Sequence, residues 1–96
     1  MGWYKCVIFG ENFPGALIGE LGPIGFYVNR WVEAASPEEA ELEAFATLRS
    51  DAKLQLPEGV DKPTDARVNL EEIHEVDASV VPDGQQGFAF FPMESN

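Results

Sequence analysis

A chain of 96 residues, 45 % hydrophobic and 11 % aromatic, suits one folded domain, because two separate cores would each be too small and a disordered chain would hold fewer aromatics. Its 17 acidic residues against six lysines and arginines give a formal net charge of −11, which argues against binding to nucleic acid or anionic membranes. A lone cysteine and the lack of a signal-like or membrane-length apolar run predict a cytoplasmic protein without internal disulfides.

The first predicted element is a strand over residues 3–9, where aromatic and β-branched residues surround Lys5. Both of its faces are apolar, which predicts a central position in a sheet. Residues 10–25 hold five glycines and two prolines, a density that predicts a long irregular loop. The apolar side chains of this loop favour packing of at least part of it against the protein.

A second strand, antiparallel to the first, is predicted over residues 26–34 from the alternation of apolar and polar side chains. The sequence Ser36-Pro37-Glu38-Glu39 then combines an N-cap, a proline at the first helical position and acidic residues in the first turn. It predicts a helix over residues 37–51, whose apolar stripe contains Ala40, Ala44 and Leu48, with Phe45 and Ala52 at its edge. Residues 53–65 form a predicted connector.

A third strand is predicted over residues 66–77, with a one-residue slip in the alternation that suits a bulge. Pro82-Asp83-Gly84 predicts a turn, and residues 87–93 a last strand, at whose end or edge Pro92 is tolerated. The order ββαββ predicts an α+β domain, in which one helix packs on one face of a four-stranded, mainly antiparallel sheet.

The second face of such a sheet is exposed, covered by residues 10–25 as a lid, or buried against another chain. Tyr27 and Trp31 share one face of the second strand, and aromatic side chains are enriched in protein interfaces. A lid and a self-association surface both remain open interpretations of this face.

His74 is the only histidine, and it lies among acidic residues that invite a metal or acid–base interpretation. On a strand Glu72 and His74 share one face, whereas Glu71, Glu75 and Asp77 point to the other, so that at most two of them could bind one ion. The spacing matches no metal-binding motif. We therefore predict an acidic strand edge, and no metal or other cofactor.

Cys6 and His74 could form a nucleophile–base pair only if the fold placed them side by side, and the apolar surroundings of Cys6 favour a buried, inert thiol. Gly10 and Gly15 have the spacing of a phosphate-binding loop, but Ala16-Leu17 replaces its Lys-Ser/Thr. Arg30 and Glu41 are charges at apolar positions of the second strand and the helix, so that Glu41 is either a rim residue near solvent or the partner of Arg30.

We therefore expect a non-enzymatic, acidic protein-interaction module that forms a homodimer and is steered to a basic protein partner, by analogy with inhibitor and immunity-type proteins. The predicted contact surface consists of Tyr4, Tyr27, Trp31, Phe91, Glu71, Glu75 and Asp77. The alternative is a small-ligand-binding protein or enzyme with a pocket between the sheet and residues 10–25, lined by Glu11, Asn12, Arg30 and His74.

Overall fold

The computed structural model describes residues 1–51, 54–56, 59, 64–83 and 87–93. It shows a four-stranded antiparallel sheet with one helix packed on it, as the sequence predicts. The strands are Gly2–Pro14 (β1), Pro23–Ala34 (β2), Arg67–Val76 (β3) and Ala89–Pro92 (β4), and the helix is Pro37–Arg49 (α1). Their order across the sheet is β3-β1-β2-β4, so that the first two strands lie at its centre.

The prediction of a long loop over residues 10–25 is wrong. β1 and β2 pair from Gly2 opposite Ala34 to Pro14 opposite Pro23, with one irregularity between Gly10 and Phe13. Asn12 adopts a positive φ of 59° within that irregularity. Only a 3₁₀ turn at Gly15–Ile18 and residues 19–22 separate the two strands. Residues 10–25 therefore extend the sheet and do not fold over it as a lid.

Two of the glycines in this segment are required by close packing inside the hairpin. The ring of Phe26 lies directly against Gly10, where a Cβ atom would collide with it. A Cβ atom on Gly15 would lie 2.5 Å from the carbonyl oxygen of Glu20, across the end of the hairpin. The glycine density therefore reflects contacts between strands and within the turn, and not a lack of regular structure.

α1 begins where its sequence predicts. The Ser36 hydroxyl accepts a hydrogen bond from the Glu39 backbone N–H at 3.2 Å, and the buried helical residues are the predicted Ala40, Ala44 and Leu48. The two alanines let the helix lie close to the sheet. The helix ends at Arg49, two residues earlier than predicted, because Ser50 leaves helical geometry and Asp51 turns towards β2.

The core lies between α1 and the sheet. Even-numbered residues of β2, and of β1 as far as Gly10, point into it, among them Cys6, Ile8 and Phe26, each with no exposed surface. Beyond the irregularity in β1 it is Phe13 that is buried. Aromatic rings surround Phe26: the ring centroids of Phe13 and Phe88 are both 5.2 Å from that of Phe26. The edge-to-face arrangement of these rings is a favourable aromatic geometry.

The outer strands are close to their predicted bounds. β3 contains the predicted bulge, opposite the step from Val7 to Ile8. β4 is shorter than predicted and pairs with β2 only from Ile24 to Tyr27. Much of the predicted connector over residues 53–65 lies outside the described residues, as do Gly84 of the predicted turn and Ala52. In the described part of the chain, no helix has both the length and the apolar character needed to cross a membrane.

Candidate interaction surface

The sheet face opposite α1 carries a set of aromatic side chains, and we call it the open face. The strand register places these residues on it: Trp3, Lys5, Val7, Phe9 and Glu11 of β1; Gly25, Tyr27, Asn29, Trp31 and Glu33 of β2; Arg67, Asn69, Glu72, His74 and Val76 of β3; Ala89 and Phe91 of β4. Both tryptophans of the chain are among them. On an exposed sheet face, alternation normally supplies polar residues.

Three aromatic rings form a cluster where β1, β2 and β4 meet. The ring centroid of Tyr27 is 5.0 Å from that of Phe9 and 5.8 Å from that of Phe91, and the Phe9 and Phe91 centroids are 6.1 Å apart. Gly25 leaves room for Phe91, since a Cβ atom there would lie 2.6 Å from its ring. Tyr27 is 47 % exposed, whereas both phenylalanines are half-buried.

The other half of the open face is built around the two tryptophans. Trp31 lies opposite Lys5 in the register, and the Lys5 Nζ atom is 5.7 Å from the centroid of the Trp31 ring, within the range of a cation–π contact. Trp3 pairs with Glu33 of β2 and with Val76 of β3. Both tryptophans are half-buried, so that part of each ring remains in contact with solvent.

The structure brings together only three of the seven predicted contact residues. Tyr27, Trp31 and Phe91 lie together on the open face. Tyr4 does not belong with them: it is only 8 % exposed and lies on the α1 side, where burial, Glu75 and Glu38 raise its pKa. Its partner across the strands is Glu75, which the register therefore also assigns to the α1 side.

The last two predicted contact residues, Glu71 and Asp77, lie in the bulge of β3 and just after its end. Glu71 is the extra residue of the bulge, on the outermost strand of the sheet. Asp77 follows β3 and accepts a hydrogen bond from the Ser79 backbone N–H at 2.9 Å, which lowers the pKa of Asp77 and caps the 3₁₀ turn at Ala78–Val80. The predicted acids are thus not part of the aromatic surface.

Trp3 and Phe9 are open-face residues that the sequence prediction did not include in the contact surface. The alternation along β1 does place them on one side, together with Val7. Both sides of that strand are apolar, however, so that the alternation alone does not show which side the helix covers. The register with Tyr27 and Trp31 supplies this information.

Cys6 and His74 lie on opposite faces of the sheet and cannot act as a nucleophile–base pair. Cys6 is fully buried under α1, where burial and the charge of Glu41 raise its pKa to about 11. His74 lies on the open face opposite Lys5, and its Nε2 atom is 3.7 Å from Glu72 Oε1. Among the residues that the structure describes, no three or more His, Cys, Asp or Glu side chains converge as metal ligands.

Arg30 is only 2 % exposed, and its ion pair is with Asp51 and not with Glu41. Glu41 is partly exposed, which agrees with the alternative interpretation of a rim residue. The Nη2 atom of Arg30 lies 2.8 Å from Asp51 Oδ2, and its guanidinium carbon is 5.3 Å from the centroid of the Phe88 ring. Burial lowers the pKa of Arg30, while the charge and hydrogen bond of Asp51 oppose that shift. The early end of α1 brings Asp51 within reach.

The predicted ligand pocket is not assembled. Arg30 lies on the α1 side, whereas Glu11 and His74 are on the open face. A cavity of about 680 Å³ instead lies between the end of α1, residues 54–56, and the neighbouring parts of β1 and β3. It is lined by Phe13, Phe45, Leu48, Arg49, Leu54, Gln55, Leu56 and Val68.

The open face thus combines the two tryptophans with the cluster of Phe9, Tyr27 and Phe91 on one side of the sheet. The described helix packs on the other side. The open face is therefore the candidate functional site. Comparison with protein-family models, curated proteins and solved structures finds no match to this chain.

Proposed function

We propose that this protein is a non-catalytic protein-interaction module whose contact surface is the open face. The observation that carries the proposal is the aromatic cluster of Phe9, Tyr27 and Phe91, continued along the sheet by Trp3 and Trp31. Aromatic side chains bury a large area on binding and lose few rotamers, which is why they anchor protein interfaces. Partly exposed aromatic side chains gathered on one face of a sheet are typical of an interaction site.

The acidic residues support a second, electrostatic part of this function. Exposed carboxylates lie on α1 at Glu38, Glu39 and Glu43, and on β3 at Glu71 and Glu75. They lie outside the aromatic surface and contribute to the overall negative potential, which raises the association rate with a basic protein. Binding of a basic partner, as in inhibitor or immunity-type proteins, stays a prediction that rests on this potential.

The open face is tested with two variants that add the same charge on different sides of the protein. Trp31→Asp places a carboxylate on the open face, whereas Leu42→Asp places one on α1, where Leu42 is 66 % exposed. Each variant, immobilised in the folded state, is compared with the wild type for the proteins it retains, including untagged copies of its own chain. We expect a partner to bind the wild type and Leu42→Asp and to be lost from Trp31→Asp. Equal retention by both variants would contradict the use of this face.

A second candidate function is supported by the cavity at the end of α1. Its volume of about 680 Å³ falls within the range of small-molecule sites, and its lining is apolar except for Arg49 and Gln55. A ligand that binds there would raise the midpoint of thermal unfolding. Leu48→Ala would abolish that shift, and Trp31→Asp would not, which separates this function from the first.

A further inference from the structure

The charge on the open face differs from that on the rest of the molecule. Residues in register there include two cations, Lys5 and Arg67, and three carboxylates, Glu11, Glu33 and Glu72, which gives the face a formal charge of −1 out of the −11 of the chain. Each cation has a partner on the same face: Lys5 lies over the ring of Trp31, and the Nε atom of Arg67 is 3.6 Å from Glu11 Oε1. A surface built to contact a basic protein would instead concentrate carboxylates.

A nearly neutral aromatic face on a strongly acidic molecule is suited to contact with a second molecule that is equally acidic elsewhere. Two molecules of charge −11 repel each other wherever their acidic surfaces meet, so that they can approach closely only where each is nearly neutral. The open face meets that condition. It also contains both positively and negatively charged side chains. In a two-fold symmetric dimer both copies use the same patch, so that a cation of one copy can lie opposite a carboxylate of the other.

The size of the open face is sufficient for such a contact. Nine residues of β1, from Trp3 to Glu11, are paired on the β3 side. With a rise of about 3.3 Å per residue and a strand spacing of about 4.8 Å, the three longer strands and β4 present about 500 Å² of sheet plane per copy. Two copies face to face bury about 1,000 Å² or more, which reaches the lower limit for a specific interface.

We infer that the occupant of the open face is a second copy of this chain, packed sheet to sheet in a symmetric dimer with both α1 helices outside. The inference rests on the proposed function and names its partner. In this dimer Trp3, Trp31 and Tyr27 are buried between the two sheets, and the acidic residues of α1 face solvent on both sides. Sheets packed face to face lie about 10 Å apart, a distance that aromatic side chains fill.

The test is sedimentation equilibrium of the wild type and of two variants that add one negative charge each. Tyr27→Asp places this charge on the open face, and Leu42→Asp places it on α1. We expect the wild type and Leu42→Asp to be dimers. Because a symmetric interface contains each substitution twice, a tenfold weakening at each copy makes the dimer of Tyr27→Asp about 100-fold weaker. Asn29→Glu, which replaces a side chain that is already polar, gives the same result if Tyr27→Asp does not fold.

Two further measurements identify the type of contact. Added salt tightens the dimer, because it screens the repulsion between two acidic molecules, whereas it would weaken a complex with a basic partner. Dilution shifts the tryptophan emission of the wild type to the red, since both tryptophans lie on the face that becomes exposed. A dimer that Tyr27→Asp leaves intact and Leu42→Asp disrupts would overturn the inference.

A monomeric wild type would overturn the inference without removing the proposed function. In that case binding of the neutral dye Nile red shows whether only the dimer is wrong or the proposed contact surface as well. Dye binding that Tyr27→Asp abolishes and Leu42→Asp retains would show an apolar open face awaiting a different protein. A wild type that is monomeric and binds no dye would contradict the proposed function as well.

Discussion

Cys6 shows how the position of a single residue decides its chemistry. Its side chain lies between β1 and α1 with no exposed surface, and both the apolar surroundings and the carboxylate of Glu41 disfavour a thiolate. The neutral thiol is therefore a small apolar group of the core. The same residue on the open face, one position along the strand, would be accessible to solvent.

The pKa of Cys6 predicts a loss of stability at alkaline pH. It is about 11 in the folded protein against an ordinary value of 9.0, so that the folded state holds this proton more tightly than the unfolded chain. The resulting stabilisation is complete below about pH 9 and is lost as the pH rises to about 11, by up to ~2–3 kcal/mol.

Urea unfolding over this pH range checks the prediction, with Cys6→Ala as the matched variant. The free energy of unfolding should fall less steeply with pH in Cys6→Ala than in the wild type. Tyr4, whose pKa is also raised, contributes a fall of the same sign to both proteins, so that the difference between them reports on Cys6. Parallel pH dependences in the two proteins would mean that Cys6 does not carry this effect.

At the scale of elements, the long hairpin of β1 and β2 depends on the contact between the Phe26 ring and the backbone at Gly10. Gly10→Ala introduces a methyl group into the space of that ring and should lower the free energy of unfolding by about 1–3 kcal/mol. In a Phe26→Leu background the ring is absent, and the additional loss from Gly10→Ala should be smaller. Chemical unfolding of the four proteins in this double-mutant cycle measures the coupling. Additive losses would show that the contact does not constrain the hairpin.

The elements that the sequence predicts well are those defined by local signals. The cap at Ser36 and the spacing of Ala40, Ala44 and Leu48 specify α1 without reference to the rest of the chain. The sequence does not predict the part of the hairpin within residues 10–25, because glycines such as Gly10 and Gly15 are typical of loops. In the structure these two glycines are required by close contacts with Phe26 and Glu20. Such contacts are formed only in the tertiary structure.

The candidate surface is predicted in part for the same reason. Alternation places Tyr27 and Trp31 on one side of β2, and the structure adds Phe91 of the neighbouring strand to that side. Tyr4 lies on the other side. Its prediction fails because on β1 both alternating sets of side chains are apolar, so that the sequence does not show which set faces the helix. Only the pairing of β1 with β2 fixes which set is buried.

At the scale of the whole molecule, the net charge of −11 acts over distances comparable to the protein itself. Raising the ionic strength from about 0.01 M to about 0.15 M shortens the screening length from about 30 Å to about 8 Å, against molecular dimensions of 41 × 25 × 19 Å. We expect Tm to rise with salt by several degrees, since repulsion between carboxylates is weakened. Measuring this in Tyr27→Asp keeps self-association out of the result.

Glu43→Lys is the matched control, because it changes an exposed helical charge and lowers the net negative charge by two. Its Tm should depend less on salt than that of the parent protein. A fall in Tm with added salt would show that attractive pairs, such as Glu11 with Arg67, outweigh the general repulsion.

The central position of β1 and β2 also has a consequence for how the chain assembles during synthesis. Residues 2–34 leave the ribosome before β3 and β4 and contain both strands of the middle hairpin. Each later strand can then pair with an edge that is already formed: β3 with the unpaired side of β1, and β4 with the unpaired side of β2. Because neighbouring segments meet at a small loss of chain entropy, the sheet can grow outwards from its oldest part, and the last strand made completes it at an edge.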